Sequence, residues 1–275
     1  MRTIAYLGPE QTNTHLAAVS RFGQQAHYIP ELTVENVFHL VERRQAVYGV
    51  VPVENSLEGA VTHTLDRFID FPDTPVKIHG EIELRIRHCL IMQRGVSLAD
   101  ITEVCSHPQA LAQCAGWLSR RLPHAMRREA NSTADAVASL QAAEHQRHRA
   151  AIGREALARA HRLQALPIPE TRENKTRFLV LGMGEPPKTK RSKTSLMFAL
   201  KDQPGALHDA LLPFKRNRIN MTKIESRPSK QQAWEYLFFI DVEGHVAEPR
   251  VQRALAALQR STSSYQLLGS YPIAG

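Results

Sequence analysis

The sequence predicts an α/β fold followed by a smaller α+β module, and three observations carry that reading. In the first two-thirds, short apolar runs that end in Gly, Pro or polar turns alternate with stretches of helical periodicity, the pattern of β-α-β units in a parallel sheet. At 183–193 a Pro-Pro segment rich in Lys and Arg interrupts the pattern and reads as a linker. Beyond it, about 80 residues run strand-helix-strand-strand-helix-strand, the order of a ferredoxin-like module.

Each element has a local reason. Thr3–Leu7 is a short strand closed by Gly8-Pro9. Residues 10–22 are helical in pattern, with His15, Leu16, Val19 and Phe22 on one face and Gly23 as the stop. Thr33 caps a helix whose apolar stripe is Val34, Val37, Phe38 and Val41. Residues 48–53 form a buried strand that delivers Glu54-Asn55-Ser56 at its C-terminal end. Past Pro72 and Pro75, residues 76–93 alternate through Ile78, Ile82, Leu84, Ile86 and Leu90, which suggests long β-structure crossing from one lobe to another. Val104-Cys105-Ser106 ends a strand, and His107-Pro108 opens a helix to Leu122. Ser132 or Thr133 caps a helix through Ala134, Val137 and Leu140. Residues 150–153 are a strand and 154–163 a helix. The stretch 173–182, E-N-K-T-R-F-L-V-L-G, then sets a polar tetrad, Asn174-Lys175-Thr176-Arg177, at the mouth of an apolar strand, with Gly182 as the turn behind it. In the last module, strands are expected at 194–200, 221–227, 234–242 and 265–269, and helices at 205–217 and 248–259.

Composition narrows the function. No apolar run approaches the roughly 18–20 residues that span a bilayer, and the N-terminal apolar stretch is too short for a signal sequence. A cytoplasmic protein without a membrane partner is expected. Cys89, Cys105 and Cys114 are an odd set with no C-x-x-C pair and read as reduced thiols. The net charge of +8 suits an anionic partner. The basic clusters at 120–121, 127–128 and 188–193 lack interleaved aromatics, which argues against nucleic acid. His145 and His148 have metal-compatible spacing but no third ligand, so they read as solvated surface and no metal is expected.

In open α/β sheets, ligands collect beyond the carboxyl ends of strands. Polar clusters sit there after Leu7, after Val53, after Cys105 and near Ser132-Thr133. Asn55 or Ser56, and Ser106 with His107-Pro108-Gln109, suit plain helix caps as well as ligand groups. Helix starts near Pro9, near Ser56 or Ser106 and near Ser132 would attract a carboxylate, with Arg177 as a bidentate partner. The tetrad at 174–177 lies at the start of its own strand, so it joins these clusters only if its chain returns across a cleft. In the last module, residues 203–208 turn into a helix and 224–228 end a strand, which fits a docking or dimerisation module as well as a ligand pocket.

Seven segments in order resemble one family: A-Y-L-G-P-E at 5–10, V-P-V-E-N-S-L-E-G at 51–59, S-H-P-Q-A-L-A-Q-C at 106–114, N-S-T-A-D-A at 131–136, N-K-T-R-F at 174–178, G-A-L-H at 205–208 and I-E-S-R-P at 224–228. The chain resembles the prephenate dehydratases with a C-terminal ACT regulatory domain. The resemblance implies a two-lobed catalytic domain like a type 2 periplasmic binding protein, with the active site in the cleft. It divides the chain into a catalytic part at 1–182 (lobe one about 1–78 and 168–182, lobe two about 79–167), a linker at 183–193 and an ACT domain at 194–272. It implies decarboxylative dehydration of prephenate to phenylpyruvate without cofactor or metal, feedback inhibition by phenylalanine, and a homodimer or homotetramer. Carried over by position, Thr176, Asn55, Ser106 and Gln113 are the catalytic candidates. Thr12, Thr14, Glu54, Ser56, Ser132, Thr133, Arg177 and Phe178 are candidate substrate-lining residues. Gly205, Ala206, Leu207, His208, Asn220, Glu225, Ser226, Arg227 and Pro228 are candidates for phenylalanine binding. The chain departs from the family pattern at Gln11, Asn13 and Thr14, and again at Arg218 and Met221. Arogenate dehydratase and a non-catalytic solute-binding protein of the same fold remain as alternatives.

Overall fold

The computed structural model describes residues 1–142, 148–169, 173–186, 188–230 and 235–274. His145 of the histidine pair, Pro187 of the Pro-Pro segment and Trp234 at an expected strand start lie outside the described residues. In chain order the elements are β1 (Thr3–Leu7), α1 (Asn13–Phe22), β2 (His27–Glu31), α2 (Val34–Glu42), β3 (Tyr48–Asn55), the two-residue β4 (Gly59–Ala60), α3 (Thr62–Asp70), β5 (Val76–Arg85), β6 (Cys89–Met92), β7 (Glu103–Ser106), α4 (Pro108–Gln113), α5 (Ala115–Arg121), β8 (Met126–Glu129), α6 (Thr133–Ala142), β9 (Arg149–Gly153), α7 (Glu155–Ala160), β10 (Gln164–Pro167) and β11 (Lys175–Met183). The last module adds β12 (Ser192–Ala199), α8 (Ala206–Arg216), β13 (Met221–Pro228), β14 (Tyr236–Glu243), α9 (Pro249–Ser261) and β15 (Ser264–Pro272), the β-α-β-β-α-β order expected from the sequence.

The chain forms two compact units. Unit one comprises Met1–Leu7, Ala17–Glu83 and Thr176–Gly275, and unit two comprises Gly8–Leu16 and Leu84–Lys175. In unit one a sheet of order β2-β1-β3-β11-β5 carries β4 beside β3. β1 pairs in parallel with β2 and β3, whereas β11 runs antiparallel to β3. The expected parallel sheet is therefore mixed. This direction answers the puzzle of the polar tetrad: the start of an antiparallel strand lies beside the carboxyl end of its neighbour.

Local chemistry fixes the helices of unit one. Thr33 caps α2 by accepting a hydrogen bond from the Asn36 amide, and Val34, Val37, Phe38 and Val41 are buried as the periodicity requires. Phe38 meets Phe68 of α3 edge to face with ring centres 5.2 Å apart. A four-stranded sheet of order β13-β14-β12-β15 also belongs to unit one, and its Met197, Phe239 and Tyr271 share a core with Phe38, Phe68 and Ile78. β15 crosses β5 so closely that a Cβ on Gly269 would lie 2.3 Å from the Ile78 carbonyl oxygen. Only glycine permits that approach.

Unit two is built on a sheet of order β10-β6-β9-β7-β8. β7, β8 and β9 are parallel, so Ser106, the Ala130–Ser132 turn and the residue after Gly153 share one edge. β6 and β10 run antiparallel to their neighbours. Cys89, Cys105 and Cys114 are buried and form no disulfide among the described residues. Among the described residues no helix is long and apolar enough to cross a membrane.

Several local expectations change. The β-structure over 76–93 is two strands, β5 and β6, broken at 86–88. The helix expected from His107 to Leu122 breaks at Cys114 into α4 and α5. Asn55 and Ser56 cap no helix: Asn55 ends β3, and the next helix follows Val61. Ser106 is likewise the last residue of β7, and His107 caps α4 instead. Gly182 is no turn but a strand residue, where a Cβ would strike the His79 ring at 2.9 Å.

Candidate active site and regulatory groove

In unit one the antiparallel register sets Thr176 opposite Asn55 and Arg177 opposite Glu54, with a bulge just after Arg177. Asn55 Oδ1 accepts from the Leu57 main-chain N–H at 2.9 Å. A main-chain N–H can only donate, so this contact identifies the oxygen of the amide and turns its nitrogen the other way. Asn55 Nδ2 then donates to Thr176 Oγ1 at 3.0 Å. Thr176 Oγ1 is thus an acceptor in this pair, which leaves its own proton available to another group. Asn55 is buried and Thr176 half-buried, so the hydroxyl is reachable while its support is fixed.

Successive strand residues face opposite sides, and Arg177 points away from that hydroxyl. Its Nε donates to Glu54 at 2.9 Å, and its Nη1 donates to Glu81 at 3.0 Å and Asp241 at 2.9 Å. Lys193 of β12 donates to both Glu81 oxygens at 3.0 and 2.8 Å, and Lys223 of β13 pairs with the second Glu54 oxygen. Ser195 donates to Asp241. Three cations thus balance three carboxylates across β3, β5, β11 and the module's sheet. Arg177, expected to line the substrate site, is 7% exposed and holds three protein carboxylates. Phe178, expected as lining, is 1% exposed and buried.

Burial alone would raise the Glu54 carboxyl, but hydrogen bonds and charge from Arg177 and Lys223 hold it down at about 2. An unfolded-chain glutamate titrates near 4.3. The folded value is the lower one, so Glu54 stabilises the fold fully above the unfolded value and loses that contribution as pH falls toward 2. Chemical unfolding followed from neutral pH downward should show stability falling below about pH 5, and falling less steeply in Glu54→Gln. Equal slopes in the two proteins would show that Glu54 holds no depressed carboxyl.

Unit two gathers a second polar set. Ser106 is fully buried and donates to the Ile152 carbonyl at 2.8 Å. Gln113 accepts from Asn174 Nδ2 at 2.8 Å. Ser132 accepts from the Asp135 amide at 2.9 Å and so caps α6, in which Thr133 is the first residue. Thr12 accepts from the His15 amide at 3.3 Å, and Thr14 is buried. Gln11 adopts φ 62° in the same loop. Arg154 Nη2 donates to the Gln11 carbonyl at 2.7 Å. Sequence reasoning missed Arg154: a lone arginine between a strand and a helix carries no signal that distinguishes it from an ordinary helix start.

In the last module, a groove of about 660 Å³ is lined by Leu200, Gln203, Gly205, Ala206, Leu207, His208, Tyr236 and Phe238, among others. Gly205 sits at φ 80° and begins α8, a conformation side-chain-bearing residues rarely adopt. Asn220, Glu225, Ser226, Arg227 and Pro228 do not line it. Four of them lie on the edge strand β13, where Arg227 pairs with Asp66 of α3 at 3.0 Å.

The sequence model of the family described as prephenate dehydratase matches residues 4–186, and that of the ACT domain matches residues 194–260. The chain is 45% identical over 271 residues to the bifunctional chorismate mutase/prephenate dehydratase of Aquifex aeolicus (strain VF5), a match covering 98% of this chain and 73% of that protein. Among solved structures, the prephenate dehydratase from Arthrobacter aurescens in complex with L-Phe matches with TM-score 0.89 and 34% identity over 98% of this chain and 90% of that one. GqqA, described as a novel type of quorum quenching acylase, matches with TM-score 0.85 and 28% identity over 99% of this chain and 98% of that one.

Proposed function

The chain belongs to the prephenate dehydratase family and carries an ACT domain, and on that premise we propose that it converts prephenate to phenylpyruvate under inhibition by phenylalanine. In this reaction the bond between the ring and its carboxylate breaks and releases CO2. That electron pair enters the ring, the carbon–oxygen bond to the ring hydroxyl breaks, and the departing hydroxide takes one proton from solvent to become water. Aromatisation drives the step, so the protein has to hold the substrate and ease hydroxide away.

The observation that carries this reading is the direction of the Asn55–Thr176 hydrogen bond. A threonine donating to Asn55 would have no proton to offer; this one accepts, and its O–H can point at the leaving oxygen. A threonine hydroxyl is too weak an acid to act as a free proton source near neutral pH. It acts as a fixed donor toward charge that builds as the bond breaks. Within unit two, Ser106 holds the end of β9 through the Ile152 carbonyl. The assay is ultraviolet detection of phenylpyruvate from prephenate, with arogenate as competitor. Turnover of prephenate, with arogenate a poor rival, supports the reading. Preference for arogenate would move the substrate, and inertness toward both would remove the reaction. The match to a structure described as a quorum quenching acylase raises acyl hydrolysis as a second reading. As a nucleophile for it, Ser106 is unsuited, being wholly buried with its proton on the Ile152 carbonyl. Acyl release without phenylpyruvate formation would reverse the order of the two.

Regulation follows the same residues. Phenylalanine occupies the groove at Gly205–His208, beside Phe238 of β14. Three residues further along, β14 carries Asp241, a partner of Arg177, which adjoins Thr176. One stiff strand therefore joins the groove to the catalytic hydroxyl. The second motif, on edge strand β13 with Ile224 exposed, completes the site from another copy in a homo-oligomer. Gly205→Val places a branched side chain at φ 80°. Its ratio of turnover with and without phenylalanine should approach one, and a wild-type ratio would exclude this groove.

A further inference from the structure

Arg177 is engaged by three protein carboxylates. Within unit two, the end of β9 leads into an arginine that is not. Arg154 follows Gly153 at the edge where parallel β7, β8 and β9 end, the edge where open α/β sheets bind their ligands. Its Nη2 donates to the Gln11 carbonyl, and its Nε is buried without any partner among the described residues.

The two arginines that are buried as whole residues, Arg67 and Arg177, are treated differently. Arg67 lies within 3.5 Å of Glu42, and Arg177 touches three carboxylates. Among the described residues Arg154 has no carboxylate within ion-pairing distance. Leaving the Nε–H buried without a partner is costly. Burial lowers the guanidinium to about 10, which still leaves it charged at neutral pH. The neighbouring histidine does not compete for an anion. The Gln11 amide donates to His15 Nδ1 at 2.9 Å, which places the ring proton on Nε2 and keeps the imidazole neutral. Burial first, with Arg154 adding to it against Glu10, lowers the His15 value further.

We propose that Arg154 is a substrate-binding residue that holds the carboxylate prephenate keeps, the one on its pyruvyl side chain. This rests on the dehydratase reading of the site. The choice between the two carboxylates follows from the chemistry. The ring carboxylate loses its charge as CO2 leaves, so a cation there would stabilise the ground state more than the transition state. The side-chain carboxylate is unchanged from substrate to product, so a cation there binds all states alike. Such uniform binding sets KM and leaves kcat nearly untouched.

The test is steady-state kinetics of Arg154→Gln and Arg154→Lys, with calorimetric binding of phenylpyruvate, which retains the same carboxylate. Arg154→Gln should raise KM for prephenate about 10- to 100-fold, with kcat within about threefold of wild type, as expected for losing a charged hydrogen-bond donor. The dissociation constant of phenylpyruvate should rise by the same factor. Arg154→Lys keeps the charge without the planar fork and should fall between; it decides the matter alone if the glutamine variant does not fold. Unchanged KM and unchanged phenylpyruvate affinity, or a fall confined to kcat, overturns the assignment. The binding arm also separates the two claims: Arg154-dependent binding in a protein inert toward prephenate keeps the anion site and rejects the dehydratase reading.

Discussion

Thr176→Ala lowers kcat on prephenate by about 100-fold or more, the usual loss when one fixed hydrogen-bond donor to a developing oxyanion is removed. KM should move by only a few fold, because the hydroxyl meets the leaving oxygen mainly as charge builds on it. The structure gives the effect a second signature. Thr176 Oγ1 is held by Asn55 Nδ2 at 3.0 Å, and Asn55 is itself set by the Leu57 amide at 2.9 Å. Asn55→Ala therefore frees the hydroxyl to rotate and should lose much of the same rate. The double variant should be scarcely worse than Thr176→Ala, since residues that act as a unit are not additive. Additive losses would mean that Asn55 acts on the substrate independently.

Arg177→Met should lower stability by about 3–5 kcal/mol, the range for breaking a buried ion pair by removing one partner. Among the described residues the variant leaves Glu54, Glu81 and Asp241 paired with Lys193 and Lys223, one negative charge in excess among largely buried groups. In thermal unfolding this corresponds to a Tm lower by roughly 10 °C. The charge count predicts a rescue: adding Asp241→Asn to Arg177→Met removes the surplus charge and should recover part of the loss. A Tm within a degree or two of wild type for the single variant would show that the cluster is solvated rather than buried. Activity should fall too, because Arg177 adjoins Thr176 and ties β11 to β3 through Glu54.

Much of this architecture is legible in local sequence. Thr33 with Val34, Val37, Phe38 and Val41 specifies a capped, one-sided helix, and the structure has it at Val34–Glu42. The β-α-β-β-α-β order after the linker follows from period and turn residues in the same way. Asn55, Ser56 and Ser106 mislead because asparagine and serine serve caps, turns and strand ends alike. Only the three-dimensional pairing of β3 with β11 and of β7 with β9 says which. Strand direction was hidden for a related reason: nothing in residues 175–183 states that their partner runs the opposite way. The largest omission is the role of Arg177. Its partners Glu54, Glu81 and Asp241 lie 123, 96 and 64 residues away, so no local pattern could distinguish a structural cation from a substrate clamp. Arg154 gives no signal for the opposite reason, since the proposal for it rests on the absence of a paired carboxylate among the described residues.

The central claim is that one alcohol, held by an amide so that its proton faces the leaving hydroxide, provides the chemical acceleration. Single-turnover formation of phenylpyruvate by wild type, Thr176→Ser and Thr176→Val tests it most directly, since valine keeps the shape and drops the hydroxyl. Serine should stay within about tenfold of wild type, and valine should fall about 100-fold or more while still binding prephenate. A valine variant that turns prephenate over at the wild-type rate would contradict the claim.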